Sequence, residues 1–221
     1  MAEYKIRDYR DSDYEVVREL ISHGMSEYVP SVCTHVLKLP WVLFVLTCIF
    51  LMLLCSSKSF ILPFMAVTLL LALGRQVLGY CWSLYIDHCL QEDLQDIRKT
   101  YMEGEGSHFW VVDAEDSIVG TVAALPSEEN VKELLLKRMS VRKDFRGLGI
   151  AKALSREVIS FARQRGYKAV VLNTMVVQVE AKKMYESVGF KKYLEYVMPT
   201  LYGKLINFKI SKYRYDIFPA S

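Results

Sequence analysis

Two glycines stand in the run RKDFRGLGIAKAL, residues 142–154, just ahead of an apolar helical pattern. Glycine weakens a helix interior by about 1 kcal/mol relative to alanine. Gly147 and Gly149 therefore mark a bend from strand into helix. The first N–H groups of a helix have no intrahelical partner. With the helix dipole they attract an anion, and glycines let a diphosphate reach the main chain without a Cβ in the way. The chemistry on offer is capture of a phosphorylated ligand, with a plain tight turn as the competing account. Metal and disulfide chemistry find little support, because Cys33, Cys48, Cys55, Cys81 and Cys89 form an odd set without C-x-x-C or Cys/His ligand spacing. The formal charge of +3 is spread along the chain, unlike the basic footprint of a nucleic-acid binder.

The bend needs elements to hold it, and the sequence supplies them on both sides. ELLLKRMSV (133–141) reads as a strand, residues 147–165 as a helix, AVVLNTM (169–175) as a further strand and residues 180–187 as a short helix. The tail from Gly189 alternates like two final strands. At the other end, YKIRDY reads as a short strand, followed by a helix over residues 11–27 with Val16, Val17, Leu20 and Ile21 as its apolar stripe. IDHCLQEDLQDIRKTYM is an amphipathic helix, and HFWVVDA and IVGTVAAL form a hairpin about the turn EDS. The sum is an α/β domain with a mixed sheet.

An apolar insertion interrupts this domain near its start. LPWVLFVLTCIFLMLLC (39–55) is uncharged and is followed, after SSKS, by FILPFMAVTLLLALG, which extends past Arg75 toward Trp82. Crossing a hydrocarbon core takes about 20 apolar residues. The two runs hold only Lys58 and Arg75 as charges and show no amphipathic face. They read as a membrane-embedded helical hairpin with Trp41, Tyr80 and Trp82 at its interfaces, against the alternative of a buried hairpin in a soluble protein. The first fifteen residues are charged and hold no secretory signal. The expected organisation is residues 1–35 as the first strand and helix, 36–82 as the hairpin, and 83–221 as the remainder. Because the strands on either side join one sheet, the hairpin crosses an even number of times or dips and returns.

Arg146-x-x-Gly149-x-Ala151, between the strand ending MSV and the helix LSREVISFARQRGY, resembles the pyrophosphate-binding motif of the GCN5-related N-acetyltransferases. AKKMYESVGF (181–190) is similar to the segment in which that superfamily's helix supplies a tyrosine and ends at Gly-Phe. The place of the hairpin, with LKLPW, FWV and GIAKAL, narrows the likeness to the camello-like, N-acetyltransferase 8 type of membrane acetyltransferase.

The resemblance implies a GCN5-related N-acetyltransferase fold and a reaction that moves the acetyl group of acetyl-CoA to a primary amine. The pyrophosphate would lie on the amides of Arg146, Gly147, Leu148, Gly149, Ile150 and Ala151. Two central parallel strands would splay apart, with backbone groups near Met139 and Val141 orienting the thioester and Asn173 reaching pantetheine or the amine. Tyr185 would protonate the departing thiolate, since a phenol with a pKa of roughly 10 keeps its proton at neutral pH. Packing as a core aromatic is its other reading. Glu133, thirteen positions before Arg146, is the candidate base, with a water chain as the competitor and a solvated charged turn as the other reading. His108 reads as structural. No metal is implied. The implied acceptors are first the amino group of cysteine S-conjugates and second protein lysine. A non-catalytic membrane scaffold that keeps a CoA-binding fold is the alternative. The likeness also implies the endoplasmic reticulum, and acetyl-CoA supply and free cysteines favour the cytosolic face.

Overall fold

The computed structural model describes residues 4–114 and 117–217. It divides the chain into one unit comprising residues up to Met25 and from Cys89 onward, and a second unit, Ser26–His88. The second unit, Ser26–His88, starts earlier and ends later than the 36–82 read from hydropathy, because a further short helix precedes the hairpin and the second apolar helix runs on past Trp82.

The first unit is built on a seven-stranded sheet. Its strands are β1 (Tyr4–Asp8), β2 (His108–Ala114), β3 (Ser117–Pro126), β4 (Glu133–Val141), β5 (Ala169–Met175), β6 (Lys191–Val197) and β7 (Lys209–Asp216), in spatial order β1-β2-β3-β4-β5-β7-β6. Every neighbouring pair is antiparallel except β4 and β5, which are parallel. Both faces of the central strands are covered, which is why their sequences are continuous apolar runs rather than alternating ones. Trp110, Val112, Leu134, Leu136 and Leu172 face α5 (Ile150–Gln164) and α6 (Val179–Val188). Phe109, Val111 and Ala123 face Val17, Leu20 and Ile21 of α1 (Tyr14–Ser26), with Leu94, Ile97 and Tyr101 beside them. Helix α5 buries Ile150, Leu154, Val158, Ile159 and Ala162, a stripe at helical spacing.

The second unit holds α2 (Val29–Leu37), α3 (Pro40–Ser57) and most of α4 (Ile61–Glu92). Proline stands in the first turn of α2 and α3, where its missing N–H costs nothing. A tight turn at Lys58, with φ of +53°, joins α3 to α4. The 18 residues of α3 span about 27 Å at 1.5 Å each. Both helices are long and apolar enough to cross a membrane. Phe44, Met52, Phe64 and Met65 are exposed, as residues that face lipid would be.

Three expectations change. Residues 11–27 form a 3-10 turn, Asp11–Asp13, followed by α1. The amphipathic helix over 86–102 is not one element: α4 continues unbroken to Glu92, and a single π-helical turn, Arg98–Met102, follows. Asp93 ends α4 because its carboxylate turns inward to the guanidinium of Arg138. A short helix, α7 (Leu201–Leu205), separates the two final strands. Of the turn EDS, Glu115 and Asp116 lie outside the described residues.

Candidate active site

The parallel pair at the centre of the sheet does not stay paired. Its register runs from Glu133 opposite Ala169 to Leu136 opposite Leu172 and then stops. β4 continues to Val141 along β3, while β5 continues to Met175 along β7, so a gap opens between them. The peptide groups lining that gap follow from the ladder. Arg142 N–H donates to the Val119 carbonyl (2.8 Å) on β3, and by alternation the N–H and C=O of Val141 turn to the open edge. Two residues back, Met139 packs its side chain against the same core layer as Val141.

The glycine bend closes the far end of β4. A 3-10 turn, Lys143–Phe145, leads into Arg146, and α5 starts only at Ile150. The expected helix over 147–165 thus begins three residues later, and both glycines belong to the bend. Gly147 and Gly149 have φ of +82° and +85°, which residues with a Cβ adopt only under strain. An added Cβ would meet nothing within 4 Å at either position, so the bend needs glycine for its backbone angles and leaves open space before the amides. The Arg146 Nε donates to the Val141 carbonyl (2.8 Å), tying the bend back to the strand that lines the gap. Residues 146–149 are exposed, Ile150 is buried and Ala151 is half-buried. An exposed nest of amides at a helix start, beside a strand edge that has left its parallel partner, suits a ligand that carries a diphosphate on an extended amide-bearing arm.

The remaining candidates separate. Asn173 is the first residue of β5 past the last paired position, is exposed, and lies opposite Lys212 of β7. Tyr185 is only 5% exposed on α6, edge to face with Phe190 at 5.6 Å, in the layer that holds Val141 and Ile150. Glu133 sits at the closed end of the parallel pair. Its carboxylate takes an ion pair from Arg214 (2.5 Å) and a hydrogen bond from Asn130 Nδ2 (2.9 Å). Met139 is six residues further along β4, about 20 Å away in an extended strand. The structure therefore brings the bend, Met139, Val141 and Asn173 to one opening and keeps Glu133 apart from it. Glu133→Gln should leave kcat within about threefold of wild type and lower stability by about 1 kcal/mol, because the pair it breaks is partly exposed. Kinetics beside thermal unfolding check this. His108, with Nε2 at 2.8 Å from Asp8 Oδ1 and its ring 4.5 Å from Trp110, packs as a structural residue. Among the described residues no group of His, Cys, Asp or Glu is disposed to hold a metal ion.

Sequence reading missed the cluster of Asp93, Tyr101 and Arg138 beside the gap. Its one signal was Lys137-Arg138, two cations in the middle of an otherwise apolar strand.

A sheet opened between two parallel strands, with a glycine bend into a helix at the mouth, is the arrangement expected of an acetyltransferase that uses acetyl-CoA. The chain belongs to the acetyltransferase (GNAT) family, whose model matches residues 75–190, and within it to the camello and N-acetyltransferase 8 group. It is 39% identical over 217 residues to "Probable N-acetyltransferase camello" of Xenopus tropicalis, covering 98% of this chain and 99% of the relative. It is 41% identical over 204 residues to N-acetyltransferase 8 of Rattus norvegicus, covering 91% and 92%. An acetyltransferase of the same family from Staphylococcus aureus superposes with a TM-score of 0.58 at 19% identity, covering 98% of this chain and 100% of that one, a likeness of fold. The protein is accordingly an acetyltransferase with acetyl-CoA as co-substrate.

Proposed function

We propose that this enzyme acetylates the amino group of small amphipathic amines, cysteine S-conjugates first among them, at a membrane surface. The observation that carries the reading is the pairing, in one chain, of an open acyl-transfer gap with two helices long enough to cross a membrane. Amphipathic conjugates concentrate at the interface where those helices would hold the enzyme. α3 and α4 anchor it in the endoplasmic reticulum, with the catalytic unit on the cytosolic face. That side supplies acetyl-CoA and keeps thiols reduced, in accord with five free cysteines.

Within the site, the amides of residues 146–151 hold the pyrophosphate, and the Arg146 side chain braces the bend on which they lie. Peptide groups of Met139 and Val141 orient the thioester, donating to its carbonyl oxygen as negative charge grows there. Asn173 hydrogen-bonds the pantetheine arm or the incoming amine. The neutral amine attacks the carbonyl carbon, the C–S bond breaks, and the thiolate takes the Tyr185 proton. Water removes the proton that the amine loses, and a proton from water restores the Tyr185 phenol. Glu133 serves as a strut between β4 and β7.

A panel of acceptors tests the acceptor class. Protein purified in detergent should release CoA thiol from acetyl-CoA with cysteine S-conjugates and form the N-acetyl product by mass. Product on lysine peptides alone would move the assignment to protein lysine. No thiol release with any amine would leave a membrane scaffold that keeps the fold.

A further inference from the structure

Strand β4 carries one residue too many where the central strands part. Ala123 lies opposite Lys137 and Thr121 opposite Ser140, so Arg138 and Met139 together face Val122. The insertion reverses which side chains point to which face. Before it, Leu134 and Leu136 point into the α5 and α6 layer; after it, Met139 and Val141 do. Ser140 turns to the opposite face, where its hydroxyl donates to the Leu20 carbonyl (3.2 Å). Without the extra residue, Arg138 and Ser140 would occupy the places of Met139 and Val141, and different peptide groups would line the gap.

The bulge is held from one side by a buried network. Arg138 has φ of +53°, a conformation natural to glycine, so surrounding contacts must impose it. Its Nε donates to Asp93 Oδ2 (2.9 Å), and its Nη2 makes a second bond to Asp93 Oδ1. The Tyr101 hydroxyl also donates to Asp93, and the Lys137 ammonium stands 3.7 Å from it. Thr121 Oγ1 donates to the Arg138 carbonyl (3.0 Å) from β3. The side chains of Arg138 and Asp93 are 9% and 8% exposed. Burial works against the Asp93 charge, and the guanidinium more than offsets it, holding the carboxyl below its ordinary range. Well-packed apolar residues in place of such a pair often serve stability as well. What the pair supplies here is a single geometry.

We infer that Asp93 and Arg138 are positioning residues for acyl transfer, their ion pair fixing the bulge that presents the Met139 and Val141 peptide groups to the thioester. The inference rests on the acyl-transfer reading of the gap.

The test uses the full-length protein in detergent. Asp93→Asn and Arg138→Gln each strand a buried charge and should lower both the unfolding midpoint and kcat. In the double variant the two neutral side chains still hydrogen-bond, and the amide oxygen introduced at position 93 keeps an acceptor for Tyr101. Its midpoint should return toward wild type while kcat stays down by about 100-fold, the scale of an ångström-sized misplacement. KM for acetyl-CoA should remain within about twofold, because the glycine bend is untouched. Amide hydrogen exchange gives a readout apart from turnover: acetyl-CoA should protect the Val141 amide in wild type and not in the double variant. Full kcat in the double variant, or kcat that follows the unfolding midpoint through all three, would overturn the inference. Failure of wild type to bind acetyl-CoA or to protect Val141 would instead overturn the acyl-transfer reading itself.

Discussion

Gly149→Val should weaken acetyl-CoA binding by about 100-fold, and Gly166→Val should leave it unchanged. The two glycines are matched in all but place. Their φ angles are +85° and +76°, and an added Cβ meets nothing within 4 Å at either. Each substitution should therefore cost the fold a similar strain of about 1–2 kcal/mol. Gly166 lies in the turn that leads from α5 to β5, away from the bend. At Gly149 a branched side chain would both push the backbone out of its left-handed conformation and fill the open space before the amides. Losing two hydrogen bonds to charged phosphate, at about 1.5 kcal/mol each, gives the stated factor. Calorimetric titration of purified protein with acetyl-CoA, beside thermal unfolding of both variants, separates ligand capture from strain. Undiminished capture by Gly149→Val would remove the bend from the binding site.

The second large effect is expected at Tyr185. Tyr185→Phe keeps the ring and its edge-to-face contact with Phe190, so stability should change by less than about 1 kcal/mol. Turnover should fall by about 100-fold, the lower range for loss of a positioned acid, with acetyl-CoA affinity within about twofold of wild type. Single-turnover release of thiol, measured with saturating amine, isolates the step in which sulfur leaves. Equal rates in both proteins would return Tyr185 to the role of a core aromatic, which its 5% exposure equally accommodates.

Elements with strong periodicity or distinctive punctuation were legible in the sequence. The bounds 133–141 and 169–175 agree with β4 and β5, because each is an apolar run bracketed by polar turns. The glycine bend was legible because positive φ selects glycine. What could not be read depends on contacts distant in sequence. The break after Glu92 follows from an ion pair between Asp93 and a residue 45 positions away, whereas the local pattern continues as a helix. Arg138 carries no local mark of a left-handed conformation, since arginine is not a residue that favours one. Glu133 had the right type and a plausible spacing for a base, and only the ladder register shows that it stands at the paired end of the strands. Residues 29–37, which form α2, were assigned no element from sequence, because nine residues with a proline at the start give too short a periodic pattern.

The first strand pairs with a partner more than a hundred positions later, Tyr4 opposite Ala114, and the intervening chain contains both apolar helices. During synthesis, therefore, β1 and α1 emerge with neither their sheet neighbour nor the residues that cover Val17 and Leu20. They must wait, unpaired, until the long insertion has been delivered and β2 has left the ribosome. Folding of the catalytic unit therefore waits on completion of the whole insertion and of β2, and a lesion in the insertion should register first as a failure of the nascent amino-terminal segment to be captured.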